Sequence, residues 1–229
     1  FVVLGAIGVC IFLVVVVVPR FAKFLNTRDV EIPASTQALM DIADWFQTWG
    51  QAMAGITTTL IFGLLVAYTT QVGKRVIDRG ILALPVVGKS ITYAAMAQAG
   101  WTLAMLLRSG VTALQSLRIT SGVIGNLAVA DGFDYAADRI LEGRSLSSAF
   151  EQRQIPMMMR HMAAVGERSG QLDTVMQELG EYYRKELEAL IKIMTAMVEP
   201  ALILIVGGMV GFVYYAFFQA VLKVSTGGM

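Results

Sequence analysis

Residues Ala201–Leu222 read ALILIVGGMVGFVYYAFFQAVL, an uncharged run close to the roughly 20 apolar residues that cross a bilayer core. Upstream, Leu172, Val175, Met176, Leu179, Tyr183, Leu187 and Leu190 recur at helical spacing, which predicts one amphipathic helix running into this span. On its other face Glu181 precedes Lys185, and Glu188 precedes Lys192, by four residues, the favourable order for surface pairs. Glu199-Pro200 stands where the helix enters the membrane. A carboxylate there is a functional candidate, or it snorkels to the interface while Pro200 kinks or restarts the helix.

Two further stretches are uncharged over a similar length, Phe1–Val18 (FVVLGAIGVCIFLVVVVV) and Gly50–Thr70 (GQAMAGITTTLIFGLLVAYTT). Of the 229 residues 56% are hydrophobic and 15% charged, well under the roughly 25% charge of a soluble domain. The expected fold is an all-α membrane protein with three transmembrane helices and one cytoplasmic helical-bundle domain. The first span has no charged leader, no cleavage-site pattern and no initiator methionine, so it reads as the middle of a longer polypeptide extending upstream. Cys10, inside that span, is the single cysteine, which excludes an internal disulfide and a cysteine metal site. A net charge of +1 without a basic stripe gives no footprint for nucleic acid.

Lys74, Arg75 and Arg79 open the segment after the second span, and Arg184, Lys185 and Lys192 close it. The positive-inside rule places residues 73–198 in the cytoplasm. Residues 19–49 become a periplasmic loop and 223–229 a periplasmic tail, with transmembrane segments at 1–18, 50–72 and 199–222. Arg20 and Lys23 pull the other way, while Trp45 and Trp49 suit an interfacial belt at the outer end of the second span.

The cytoplasmic segment reads as helix throughout. Met96, Ala99, Leu103, Leu106 and Leu107 share a face of a helix stopped by Gly110. A second helix covers Val111 to Ile119, and a third Asn126 to Leu141, closed by Gly143. Ser145 is the expected N-cap of a short fourth, Pro156 opens a fifth, and Gly166 and Gly170 bracket a turn into the long helix.

Several motifs invite catalytic readings. Residues 83–90, ALPVVGKS, resemble a phosphate loop, but Ala83 replaces the first glycine, Pro85 has no N–H, and Val86 and Val87 resist left-handed angles. No strand precedes it, so a Pro-Gly turn between helices is the better reading. The cluster MMMRHM around His161 has copper(I) donors, yet consecutive helical residues diverge and methionine fills gaps and adaptable surfaces. No Ser, Cys or carboxylate spacing suggests a triad, so no catalytic, cofactor or metal site is expected. Gly207 and Gly211 form GxxxG, and Gly55, Thr59 and Gly63 keep the same interval. Small residues so spaced serve packing within the chain and dimerisation equally.

Val165-Gly166-Glu167-Arg168-Ser169-Gly170-Gln171-Leu172, the long amphipathic helix and Glu199-Pro200-Ala201-Leu202-Ile203-Leu204 before a glycine-bearing span are similar to the C-terminal half of the GspF/PilC family. These are polytopic inner-membrane platform proteins of type II secretion systems and type IV pili. Val18-Pro19-Arg20-Phe21, Ile32-Pro33 with Thr36, Leu84-Pro85-Val86-Val87-Gly88-Lys89, Leu106-Leu107-Arg108-Ser109-Gly110-Val111 and Glu142-Gly143-Arg144-Ser145-Leu146 agree in order. The likeness covers nearly the whole chain. It implies that the Leu-Pro-x-x-Gly-Lys turn introduces the helical domain without nucleotide. The family has two related cytoplasmic domains, and this chain resembles a truncated member carrying the second.

The resemblance implies a non-enzymatic role in the bacterial inner membrane: coupling a cytoplasmic hexameric ATPase to the addition or removal of pilin or pseudopilin subunits. The ATPase would meet residues 73–198 and pilin helices the spans, alongside other inner-membrane assembly proteins and lipid. Gly110, Gly166, Glu167, Gly170, Glu199 and Pro200 are the expected structural or transmission residues, and the small-residue faces suit a homodimer. A small transporter is the alternative, weakened because charges fall only at span edges and no paired broken helices occur. A membrane ATPase using Lys89 would require nucleotide binding by this chain alone.

Overall fold

The computed structural model describes residues 34–226, together with Gly5 and Gly8, so the expected span at Phe1–Val18 lies outside the described residues. Every regular element among the described residues is helical. In chain order these are α1 (Ala34–Thr69), α2 (Gln71–Leu82), α3 (Val87–Arg108), α4 (Ala113–Val123), α5 (Leu127–Leu141), α6 (Leu146–Ala149), α7 (Met157–Ser169) and α8 (Leu172–Thr226). They divide into two compact units, one of Leu64–Ile193 and one formed by the chain up to Gly63 and from Met194 onward.

Thr48–Thr69 of α1 is long and apolar enough to cross a membrane, and α8 contains such a stretch within Leu172–Ala216. The span begins well inside α1, so residues 34–49, expected to be loop, are helical and continuous with it. No Gly or Pro interrupts Ala34 to Trp49, and the charges at Asp41 and Asp44 do not break a helix. The threonines of the span hold their hydroxyls inside the helix. Thr57 donates to the carbonyl of Met53, Thr58 to Ala54 at 2.7 Å and Thr59 to Gly55 at 2.8 Å, which satisfies polar groups that lipid cannot.

The second unit is a bundle with an alanine-rich core. Met96, Ala99 and Leu103 of α3, Val129, Phe133, Ala136 and Ala137 of α5, Met159 and Ala163 of α7, and Val175, Met176, Leu179 and Tyr183 of α8 are all buried. Small residues let the helices approach closely, and aromatic rings fill the remaining gaps: Phe133 and Phe150 meet edge to face with centroids 5.6 Å apart. The expected face of α3 is buried at Met96, Ala99 and Leu103, while Leu106 and Leu107 lie at its half-exposed end. Together α2 and α3 also have the length and composition of a span, broken by a 110° bend. However, α2 carries Lys74, Arg75, Asp78 and Arg79, and α3 contributes its apolar face to the bundle core.

Helix ends follow local chemistry. Thr112, Asn126 and Ser145 accept hydrogen bonds at their N-caps from the amides of Gln115, Val129 and Ser148. The helix expected at Val111 to Ile119 runs instead from Ala113 to Val123: Thr112 caps its start, and the helix carries on through Gly122 until the backbone turns extended at Ile124. Gly110 and Gly143 have φ of +80°. Behind Gly110 its own amide reaches Leu107 O and that of Val111 reaches Leu106 O, both at 3.0 Å, the paired closure of a Schellman motif.

Residues 83–86 form the corner between α2 and α3, with no strand before it. The amides of Gly88 and Ser90 donate to the carbonyls of Leu84 and Val86, so they are directed into the helix turn and not toward an anion nest. A side chain at Gly88 would collide with the Leu82 carbonyl, which accounts for a glycine at this position without any nucleotide.

Candidate functional site

The segment Val165 to Leu172 forms the corner that joins α7 to α8. Gly166 lies inside α7 and not at the edge of a turn as expected. A Cβ there would stand 2.9 Å from Leu172 Cδ1, 3.0 Å from Leu172 Cα and 3.3 Å from Val175 Cβ. Its hydrogen therefore lets α7 and the start of α8 pack backbone to side chain. The turn belongs to Gly170, whose φ of +70° is a conformation that L side chains rarely adopt. The amides of Gly170 and Gln171 both return to the carbonyl of Gly166.

Glu167 points away from this turn and binds another element. Its Oε1 accepts the amide of Leu146 at 3.1 Å, at the start of α6, where Ser145 already takes the amide of Ser148 at 3.3 Å. The two side chains together satisfy amides that a four-residue helix cannot pair internally. Glu167 thus ties α6 to α7, and Gly166 and Gly170 set the entry of α8. The structure brings these three residues together, while Gly110 ends α3 elsewhere in the bundle.

Glu199 and Pro200 sit within α8, which neither stops nor restarts at the proline. Pro200 has no N–H to donate to the carbonyl four residues earlier. On the bundle part of α8, Glu181 pairs with Lys185 at 3.7 Å as expected, but Glu188 meets Arg184 at 3.8 Å instead of Lys192. In the spans, a Cβ at Gly55, Gly63, Gly207, Gly208 or Gly211 would meet nothing within 4 Å among the described residues. These small-residue faces are open to a neighbouring helix.

The methionines of MMMRHM diverge. Met159 is fully buried, while Met157 and Met158 are exposed, which suits a core contact beside an open surface.

Three features escape the sequence reading. Asp78 is only 3% exposed, and its Oδ2 accepts the amide of Leu127 at 2.7 Å. Beside it Asn126 accepts the amide of Val129 and donates to the carbonyl of Asp78 at 3.4 Å. Asp78 therefore anchors α2 on the N-terminus of α5, where a carboxylate also favours the helix dipole. Second, α3 and α8 cross at Gly100 and Gly180. A Cβ on Gly100 would stand 2.7 Å from Gly180 Cα, and one on Gly180 would stand 3.0 Å from Trp101 N. The run Ala97, Gly100, Ala104 is the small-residue signal that could have marked this crossing. Third, Arg118 of α4 meets Asp134 at 3.5 Å and Asp138 at 2.5 Å on α5.

Among the described residues these positions form caps, corners and close crossings. The family model described as type II secretion system (T2SS), protein F matches residues 102–220. The chain is 34% identical over 221 residues to the type IV pilus assembly protein PilC of Thermus thermophilus, covering 96% of this chain and 54% of that protein. It is 31% identical over 211 residues to PilC of Myxococcus xanthus, covering 92% and 51%. To the type II secretion system protein F of Vibrio cholerae it is 31% identical over 221 residues, covering 96% and 54%. The chain spans about half the length of the curated relatives it matches. With the family model matched over more than half of its residues, from within α3 to near the end of α8, the chain belongs to the type II secretion system protein F family, also called GspF/PilC.

Proposed function

We propose that this chain is the C-terminal part of a non-enzymatic inner-membrane platform that couples a separate hexameric cytoplasmic ATPase to the assembly or disassembly of pilin or pseudopilin subunits. The observation that carries this reading is α8. One uninterrupted helix supplies the bundle core residues Met176, Leu179 and Tyr183 and, further along, the apolar run around Gly207 and Gly211. A push on the bundle has a covalent, helical path toward the membrane through Glu199-Pro200, where the missing proline N–H makes the helix most compliant. Gly166, Glu167 and Gly170 set the direction in which α8 leaves the bundle. In this reading the bundle is cytoplasmic and receives the ATPase, the spans receive pilin helices, and the glycine faces join two copies.

The test is affinity capture of the full-length protein from its native membrane in mild detergent, with mass spectrometry of the co-purifying proteins. A hexameric secretion ATPase together with prepilin-like proteins is the expected result. Their absence, with unrelated membrane components in their place, would overturn it.

A further inference from the structure

We propose that α2 is a membrane-surface helix that lies on anionic phospholipid, in addition to any role in the platform. It begins immediately after a helix able to cross the membrane, with Thr70 as the one residue between Thr69 and Gln71. That corner is tight. Thr70 Oγ1 accepts the amide of Gly73 at 3.2 Å, and Lys74 Nζ stands 5.5 Å from the centre of the Tyr68 ring in the last turn of the span. The chain therefore has no slack with which to carry the start of α2 away from the bilayer surface, since one residue reaches at most about 3.6 Å.

The faces of α2 are assigned by its contacts. Asp78 is buried against the start of α5, and Leu82 packs on the bundle core. Two residues before Asp78 and on the opposite face, Val76 is 67% exposed, and Val72, one turn earlier, is 76% exposed. Leu84, Val86 and Val87 continue the exposed apolar surface through the corner. Arg75 and Arg79 flank the valines with side chains 55% and 66% exposed, and both lean on a single acid, Asp131, at 3.0 and 4.0 Å. Two guanidinium groups sharing one carboxylate leave a net positive rim beside an apolar stripe, the arrangement that seats a helix at a headgroup boundary. At its far end Arg79 and Arg153 line an open cleft of about 440 Å³ with Thr92 and Gln154, room for a phosphate headgroup.

The inference rests on Thr48–Thr69 spanning the membrane, so its test carries that control. In the full chain, Cys10→Ser removes the one native thiol, and single labels are placed through Val72→Cys, Val76→Cys, Leu60→Cys and Arg144→Cys. Each bimane-labelled variant is reconstituted in phosphatidylcholine vesicles with or without phosphatidylglycerol, then exposed to a doxyl-lipid quencher or to acrylamide. Labels at 72 and 76 are expected to be quenched from the lipid and shielded from acrylamide when phosphatidylglycerol is present, the label at 144 to behave in the opposite way, and the label at 60 to be quenched from the lipid throughout. Arg75→Gln combined with Arg79→Gln lowers lipid quenching at 76, with the docked-to-undocked ratio falling about fivefold per arginine; Asp131→Asn, which releases both guanidinium groups, raises it. Acrylamide access at 72 and 76 with lipid quenching at 60 would overturn the surface helix and leave the span intact. Loss of lipid quenching at 60 would overturn both. Shielding of 72 and 76 from both quenchers would mean that protein covers α2, and equal quenching without phosphatidylglycerol would exclude an anionic site; either result sinks the proposal.

Discussion

At the scale of single residues, the bundle is held by a few side chains that act far from their own helix. Asp78 is the sharpest case, because its carboxylate is buried and its partner is the backbone of α5. Asp78→Ala leaves the Leu127 amide unpaired and is expected to cost about 1–2 kcal/mol, read as a lower denaturation midpoint of the purified chain and faster hydrogen exchange at the start of α5. Asp78→Asn keeps an acceptor and should retain most of that stability. Gly180→Ala inserts a methyl 2.9 Å from Trp101 Cδ1 and 3.0 Å from Trp101 N. With backbone on one side the crossing cannot yield cheaply, and about 1–3 kcal/mol of destabilisation is expected, measured by the same denaturation.

At the scale of elements, the recurrent device is the capped helix end. Gly110→Ala forces a side chain into the left-handed region at the end of α3, which costs about 1–2 kcal/mol; a thermal melt of the full chain should fall by a few degrees with its helical signal at low temperature unchanged. The corner from α7 to α8 combines a close approach at Gly166, a turn at Gly170 and an outward tie from Glu167 to α6. A family-like string of small and polar residues thereby becomes a joint of defined angle. The helix α1 makes a complementary point, since its span from Thr48 is preceded by fourteen helical residues with no Gly or Pro among them.

At the scale of the whole molecule, the glycine faces of the spans meet nothing within 4 Å among the described residues. If Gly207 and Gly211 pack against a second copy, Gly207→Leu with Gly211→Leu will lower the apparent mass in detergent from dimer to monomer, measured by light scattering with the detergent contribution subtracted, and leave the denaturation midpoint of the bundle unchanged. An unchanged mass would remove these faces from self-association. The family's relatives are about twice this length, so the assembly is best tested in the full-length protein.

Whatever depends on neighbours along the chain was legible before folding: the apolar runs at α1 and α8, the helical periods of α3 and α8, the cap at Ser145, the stop at Gly110, and the family likeness with its candidate residues. These were legible because a helix repeats every 3.6 residues and a cap acts within one turn. The candidate set was legible as positions but not as geometry. Glu167 stood out in a motif, yet nothing near it in sequence revealed that its partner is the amide of Leu146, 21 residues earlier. Folding in three dimensions alone brings Asp78 to α5 49 residues away, crosses Gly100 with Gly180 and turns Val72 and Val76 outward. The physical reason is that burial is assigned by which faces meet, and those pairings join residues that no local pattern links.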